Sequence, residues 1–194
     1  MKTQVEPGFA LIQWLIRLHE AHDKENNLSA RGRLANLRYG LRNRLHEDYP
    51  IGRVMTAFDS SQGVLSDDDE TNEWFTVVAA LYGFAHDKVE HDERVSMGRA
   101  LRELYTKREN ESLERRFMAL LNADAENLPG HLRQAISLLK TEEIGVDWHL
   151  LLNDVRRWDA PGKPVQKRWG RDYYRYRASE DEIVSNIQTT EEGE

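Results

Sequence analysis

The chain has 194 residues, 39% hydrophobic and 31% charged, and its 27 Lys and Arg against 34 Asp and Glu give a net charge of −7. That is enough chain for one domain or two small ones, with a core burying well over half of the unfolded surface. The lack of cysteine excludes disulfides, thiolate metal sites and a cysteine nucleophile. With no long apolar run and no charged-then-apolar leader, the expectation is a cytosolic protein that does not enter membranes.

Leucine (22) and alanine (15) outnumber valine plus isoleucine (18), which favours helices over sheets. Residues 8–22 read as a helix opened by Pro7, with Leu11, Trp14, Leu15 and Leu18 on one face. A polar turn at 23–27 leads to a second helix over 30–46, where Leu34, Leu37, Leu41 and Leu45 recur at helical spacing and Tyr49-Pro50 ends the segment. Residues 51–58 read as a further short turn of helix. Residues 59–73 are polar and acidic and read as a loop. Residues 72–85 are apolar almost all round, as expected of a helix in the middle of a bundle. His86 to Glu93 is polar and reads as the boundary between two halves. Four helices are predicted at 96–108, 111–122, 128–141 and 148–158, the last capped by Asp147. A turn at Asp159-Ala-Pro-Gly162 precedes a final helix at 164–176. The acidic remainder reads as a disordered tail. The prediction is an all-α protein of eight or nine helices in two packed bundles. The N-terminal bundle takes residues 1–93 with the acidic loop at 59–73, the C-terminal bundle takes 94–177, and the tail takes 178–194.

The charge is unevenly placed. Residues 67–93 carry one basic and nine acidic groups, residues 156–177 carry eight and two, and residues 178–194 carry none and six. Screening confines each block to its neighbourhood, so a negative total does not exclude a polyanionic partner.

Signals for catalysis are weak. His19-Glu20-Ala21-His22 is one residue short of the HExxH zinc motif, whose two histidines must share a helix face at i and i+4. Those residues read as structural surface. His86-Asp87 and His91-Asp92 suggest an HD-type phosphohydrolase, but without further ligands they read as solvated linker charges. No phosphate-binding glycine loop or nucleophile elbow occurs. No catalytic residue, metal or cofactor is expected.

The basic segments say more. Arg31, Arg38 and Arg42 lie within about 40° of each other on one edge of the second helix, Arg33 and Arg44 lie on the other, and no acid falls between Leu28 and His46. In the last helix Val165, Trp169, Tyr173 and Tyr176 form an apolar stripe. Lys167, Arg168, Arg171 and Arg175 flank it, Lys163 precedes it, and Arg156 and Arg157 precede the turn. Such a helix suits nucleic acid or an acidic protein partner, its aromatic face being narrow for lipid insertion. Arg99/Arg102 and Arg115/Arg116 extend the basic surface. Trp148, Trp158 and Trp169 sit at helical apolar positions and read as core rather than base-stacking residues.

Taken in order, Ser96 to Leu101 (SMGRAL), Arg115-Arg116-Phe117, Leu132-Arg133, Val146-Asp147-Trp148, Trp158-Asp159 and Val165 to Tyr173 (VQKRWGRDY) resemble the CasB family, the small subunit of the type I-E CRISPR Cascade interference complex. The resemblance implies an all-α, non-catalytic subunit without metal or cofactor. It implies two copies working beside other Cascade subunits and guide RNA, with a basic face on the target and displaced DNA strands. The positions it brings forward are Arg31 or Arg33, Arg99, Arg116, Arg133 and the cluster from Lys163 to Arg171. Together with the residue-level reading, the candidate nucleic-acid contacts are Arg31, Arg33, Arg38, Arg99, Arg102, Arg116, Arg133, Arg157, Lys163, Lys167, Arg168 and Arg171. Asn122, Asp124 and Glu126 stand where the family pattern leads one to expect further basic residues. The competing reading is a helical adaptor that docks its basic helix on an acidic protein.

Overall fold

The computed structural model describes residues 6–25, 27–40, 58, 69–108 and 110–174. The expected turn at 51–57, the loop at 59–68, the tail at 178–194, and Arg42, Arg44, Arg175 and Tyr176 lie outside the described residues.

The first two helices are α1 (Pro7–Glu25) and α2 (Leu28–Gly40). Glu6 opens α1 by accepting the Phe9 amide at 2.8 Å, and Asn27 opens α2 by accepting those of Ser29 and Ala30. Helix α3 (Asp69–Ala85) follows. It starts three residues before the expected position and takes in 69–73, read above as loop. Polarity does not distinguish a loop from a solvated first turn, and the apolar run begins only at Trp74. From Trp74 onward α3 is buried on almost every side, and it packs against α1 and α2 and against two later helices, at Leu128–Thr141 and Trp148–Val155. Gly83 lets α2 and α3 touch: a Cβ there would lie 2.4 Å from that of Leu37.

Helices α4 (Met97–Arg108), α5 (Glu111–Asn122), α6 (Leu128–Thr141) and α7 (Trp148–Val155) follow, and α8 covers 164–174. All eight helices among the described residues lie close to their predicted places, and Asp147 caps α7 by accepting the Leu150 amide at 2.9 Å. Helix α7 stops at Val155 because residues 156–159 turn. Both halves of the chain contribute to one buried hydrophobic cluster.

The segment 86–96 departs from the sequence reading. Its charged side chains are exposed, as read, but its backbone is pinned to the fold. Val146 donates to the Glu90 carbonyl at 3.1 Å and accepts from Asp92 at 3.0 Å, while the Arg94 amide donates to the Asp147 carboxylate at 2.9 Å. His86 is buried, with its Nδ1 3.0 Å from that of His19 on α1. Burial, aided by the neighbouring His19, pushes the His86 imidazole down to about 4. Hydropathy averaged over the polar segment conceals one inward histidine.

The last helix is anchored through its tryptophan. Asp154 on α7 is 3% exposed. It accepts the Trp169 indole N–H at 2.6 Å and pairs with the Arg168 guanidinium. Burial pushes the Asp154 carboxyl up, while the bonds from Arg168 and Trp169 hold it down. Trp158 donates to the Ala123 carbonyl at 2.9 Å and packs against Trp169 with ring centres 5.1 Å apart. Tyr173 stacks on Phe117 at 4.2 Å. The tryptophans at 148, 158 and 169 are all core, as read from their spacing. Gly98 permits the approach of α4 to α8, since a Cβ there would lie 2.2 Å from the Trp169 carbonyl oxygen.

Four outcomes follow for stability. Gly98→Ala is expected to lower it by at least about 1–3 kcal/mol, because the opposing atom is backbone and cannot swing aside. Gly130→Ala on α6, where nothing lies within 4 Å, should raise it by about 0.5–1 kcal/mol; urea titration of both variants checks the pair. For His86 the folded state holds the neutral ring. Its contribution is therefore complete above about pH 6.5 and is lost as pH falls toward 4, where the unfolded chain takes the proton first. Melting across that range should lose about 2 kcal/mol from this source, with a shallower profile in His86→Phe. Arg168→Met leaves a buried carboxylate with the indole alone and should cost about 2–3 kcal/mol at neutral pH. That deficit should shrink as pH falls and Asp154 protonates, which denaturation at pH 5 against pH 7.5 would show.

Candidate nucleic-acid interface

The inward setting of Val165, Trp169 and Tyr173 decides what α8 presents to solvent. Lys163, Lys167 and Arg171 are all exposed. At i, i+4 and i+8 they rise about 6 Å per step and drift about 40°, forming a row along the outer face. Lys163 enters the helix from a left-handed conformation (φ 51°) just after Gly162 (φ 80°). Arg157, also exposed, stands on the turn that leads in.

Several cations elsewhere meet acids. Lys88 pairs with Glu143, Lys107 with Glu103 at 2.9 Å, Arg108 with Glu142 at 2.6 Å, Lys140 with Asp87 at 2.7 Å and Arg156 with Glu6 at 2.9 Å. Among the described residues, no acid forms a salt bridge with Arg157, Lys163, Lys167 or Arg171. The positive potential of this row is therefore not cancelled at contact range.

The other expected contacts are distributed. The Arg99 amide donates to Ser96 Oγ at 3.2 Å, and that hydroxyl donates to Asp172 on α8. This places the exposed Arg99 at the end of α4 that abuts the row. Arg116 is exposed on α5, at the rim of a shallow cleft shared with His131, Gln134 and Leu138. Arg133 is exposed on α6, with its guanidinium 5.9 Å from the Phe84 ring centre. Arg31, Arg33 and Arg38 are exposed on α2, and Arg38 contributes to holding down the His86 imidazole.

Two residues of the set are engaged within the fold. Arg102 is 5% exposed and lies over the Tyr105 ring at 5.2 Å, inside the packing of α4. Arg168 is committed to Asp154. A step of 100° separates it from Lys167 and brings it beside Asp154, with its side chain half-buried. Tyr174, in contrast, was not singled out by sequence. It is exposed at the end of the row, and its spacing of i+3 from Arg171 and i+7 from Lys167 is the signal that would have found it.

The histidine motifs assemble no metal centre: among the described residues, no group of three or more His, Asp or Glu is arranged to hold an ion. No described helix is long and apolar enough to cross a membrane.

The family model described as CRISPR-associated protein Cse2 matches residues 33–174. A CRISPR-associated protein Cse2 of Thermus thermophilus is 37% identical over 145 residues, 72% of this chain and 80% of the relative. The crystal structure of CasB from Thermus thermophilus superposes with a TM-score of 0.69 at 32% identity, over 88% of this chain and 99% of that one. A chain in a CRISPR RNA-guided surveillance complex shares the fold, with a TM-score of 0.69 at 20% identity over 92% and 97% of the two chains. The matched span ends at Tyr174, so it contains the whole described row and the tryptophans that orient it. With well over half of the chain inside that span, the chain belongs to the CRISPR-associated Cse2 family, which includes CasB.

Proposed function

We propose that this protein is a non-catalytic subunit of a CRISPR RNA-guided surveillance complex (Cascade) in antiviral defence, working in the cytoplasm beside other subunits and guide RNA. In this reading it binds DNA through the α8 row and stabilises the opened target and displaced strands, with a second copy lengthening the track. The observation that carries the reading is the row Lys163, Lys167 and Arg171 with Arg157. It is exposed, clustered on one face and without a salt bridge to an acid among the described residues, whereas Lys107, Lys140 and Arg156 are each paired with an acid. Family membership supports it, as does the shared fold with a chain of a CRISPR RNA-guided surveillance complex.

The energetics suit the role. Exchanging a DNA duplex for an RNA–DNA hybrid is nearly balanced, so a few phosphate contacts tip it. Lysine and arginine supply such contacts without reading sequence. A second copy would add contacts at high effective concentration.

The test compares the full chain with Lys167→Glu/Arg171→Glu on single- and double-stranded DNA across a salt series. Both side chains are exposed, so the fold should survive, unlike a reversal at Arg168. The wild-type chain is expected to lose affinity steeply with salt, and the double variant to lose about two phosphate contacts from that slope, near 0.7–0.9 each. The same variant should impair strand opening by the reassembled complex. Unchanged binding and opening would overturn the assignment. Loss of assembly with DNA binding intact would support an adaptor that docks on an acidic protein instead.

A further inference from the structure

We propose that Tyr174 is a stacking platform for an unpaired base, making the α8 row selective for single-stranded over duplex nucleic acid. The proposal rests on the reading of that row as a phosphate track and adds what a row of cations cannot supply, a means of telling the two forms apart.

Tyr174 is the aromatic of α8 that the core does not take. Trp169 and Tyr173 are 0% and 2% exposed, and Tyr174 is 37% exposed. It follows Lys167 and Arg171 by seven and three residues, which keeps all three within about 60° on the helix surface. From Lys163 to Tyr174 the row extends about 17 Å at the helical rise. At 3.4 Å per stacked nucleotide that is about five nucleotides, within the site sizes of single-strand binders.

The ring is also held in place. Its hydroxyl donates to the Glu114 carboxylate at 3.0 Å and lies 3.5 Å from the Met118 sulfur, and the ring meets Tyr173 edge-on at 5.0 Å. A ring fixed this way loses little freedom when a base settles on it. Base–aromatic stacking is tolerant of sequence because every base has a π-face. In a duplex those faces are covered by neighbouring pairs, so only an opened strand gains. Met118, 42% exposed beside the ring, widens the apolar contact. The adjoining unpaired cations favour a polyanion over an apolar protein segment as the occupant.

The test uses the full chain, a labelled oligothymidylate, an abasic oligonucleotide of equal length and a hairpin duplex, all at one low salt concentration. Wild type is expected to prefer the oligothymidylate. Tyr174→Leu, which keeps apolar bulk without a π-face, should weaken oligothymidylate binding by about 5- to 100-fold while leaving binding of the abasic strand and the duplex unchanged. Tyr174→Phe should restore the preference. An equal loss on both single strands, or no wild-type preference for bases, would overturn the proposal. If Lys167→Glu/Arg171→Glu still abolished binding in that case, the phosphate track would stand without the platform. No binding of any probe by the wild-type chain would overturn the track, and the platform with it.

Discussion

A carboxylate buried in an all-α core must be satisfied by nearby donors, because the interior supplies no water to do so. Asp154 meets that demand with the indole of Trp169 and the guanidinium of Arg168, both on α8. The two bonds fix the rotation of that helix. With Trp169 held inward, Val165 and Tyr173 follow it into the core, and Lys163, Lys167 and Arg171 turn outward. Gly98 sets the depth, since α4 approaches the Trp169 carbonyl more closely than any side chain would allow. The outer chemistry of α8 is therefore fixed by an interior polar contact fourteen residues away in sequence.

A second constraint joins the two halves. Helix α3 touches α1 and α2 from the N-terminal half and α6 and α7 from the C-terminal half. The segment after it is tied to residues 146 and 147 by backbone bonds, including the parallel bridge between His91 and Val146. Trp148 extends this seam, donating to the Val89 carbonyl and meeting Tyr82 edge-on at 5.2 Å. The seam carries polar groups whose bonds are made across it, which is why a stretch rich in His, Asp and Glu lies within the fold rather than between two bodies.

The helices were legible because their apolar residues recur at 3.6-residue spacing, and the three C-terminal tryptophans were legible as core for the same reason. Asp147 could be read as a cap from its place before an apolar run. Arg168 could not be separated from Lys167, because its partner Asp154 comes from another helix and spacing within α8 does not reveal it. Arg102 was misread for a related reason: a guanidinium can lie on an aromatic ring inside the packing as readily as on a surface. His86 sits in a segment whose average polarity points outward, while its own position, one residue beyond α3, points inward. Local period reads which face a helix buries; it does not read which polar residue another helix claims.

The same distinction explains how a chain of net charge −7 can present a cationic track. Some acids elsewhere in the fold pair with nearby cations, as in Lys140–Asp87 and Arg156–Glu6. The acid closest to the row in sequence, Asp172, is occupied by the Ser96 hydroxyl on α4. Beyond a Debye length the remaining negative charge is largely screened. A phosphate arriving at α8 therefore meets the local row and not the total. In the proposed role this division is useful: overall negative charge limits long-range attraction to nucleic acid, and the row acts once an assembled complex has brought an opened strand within contact range.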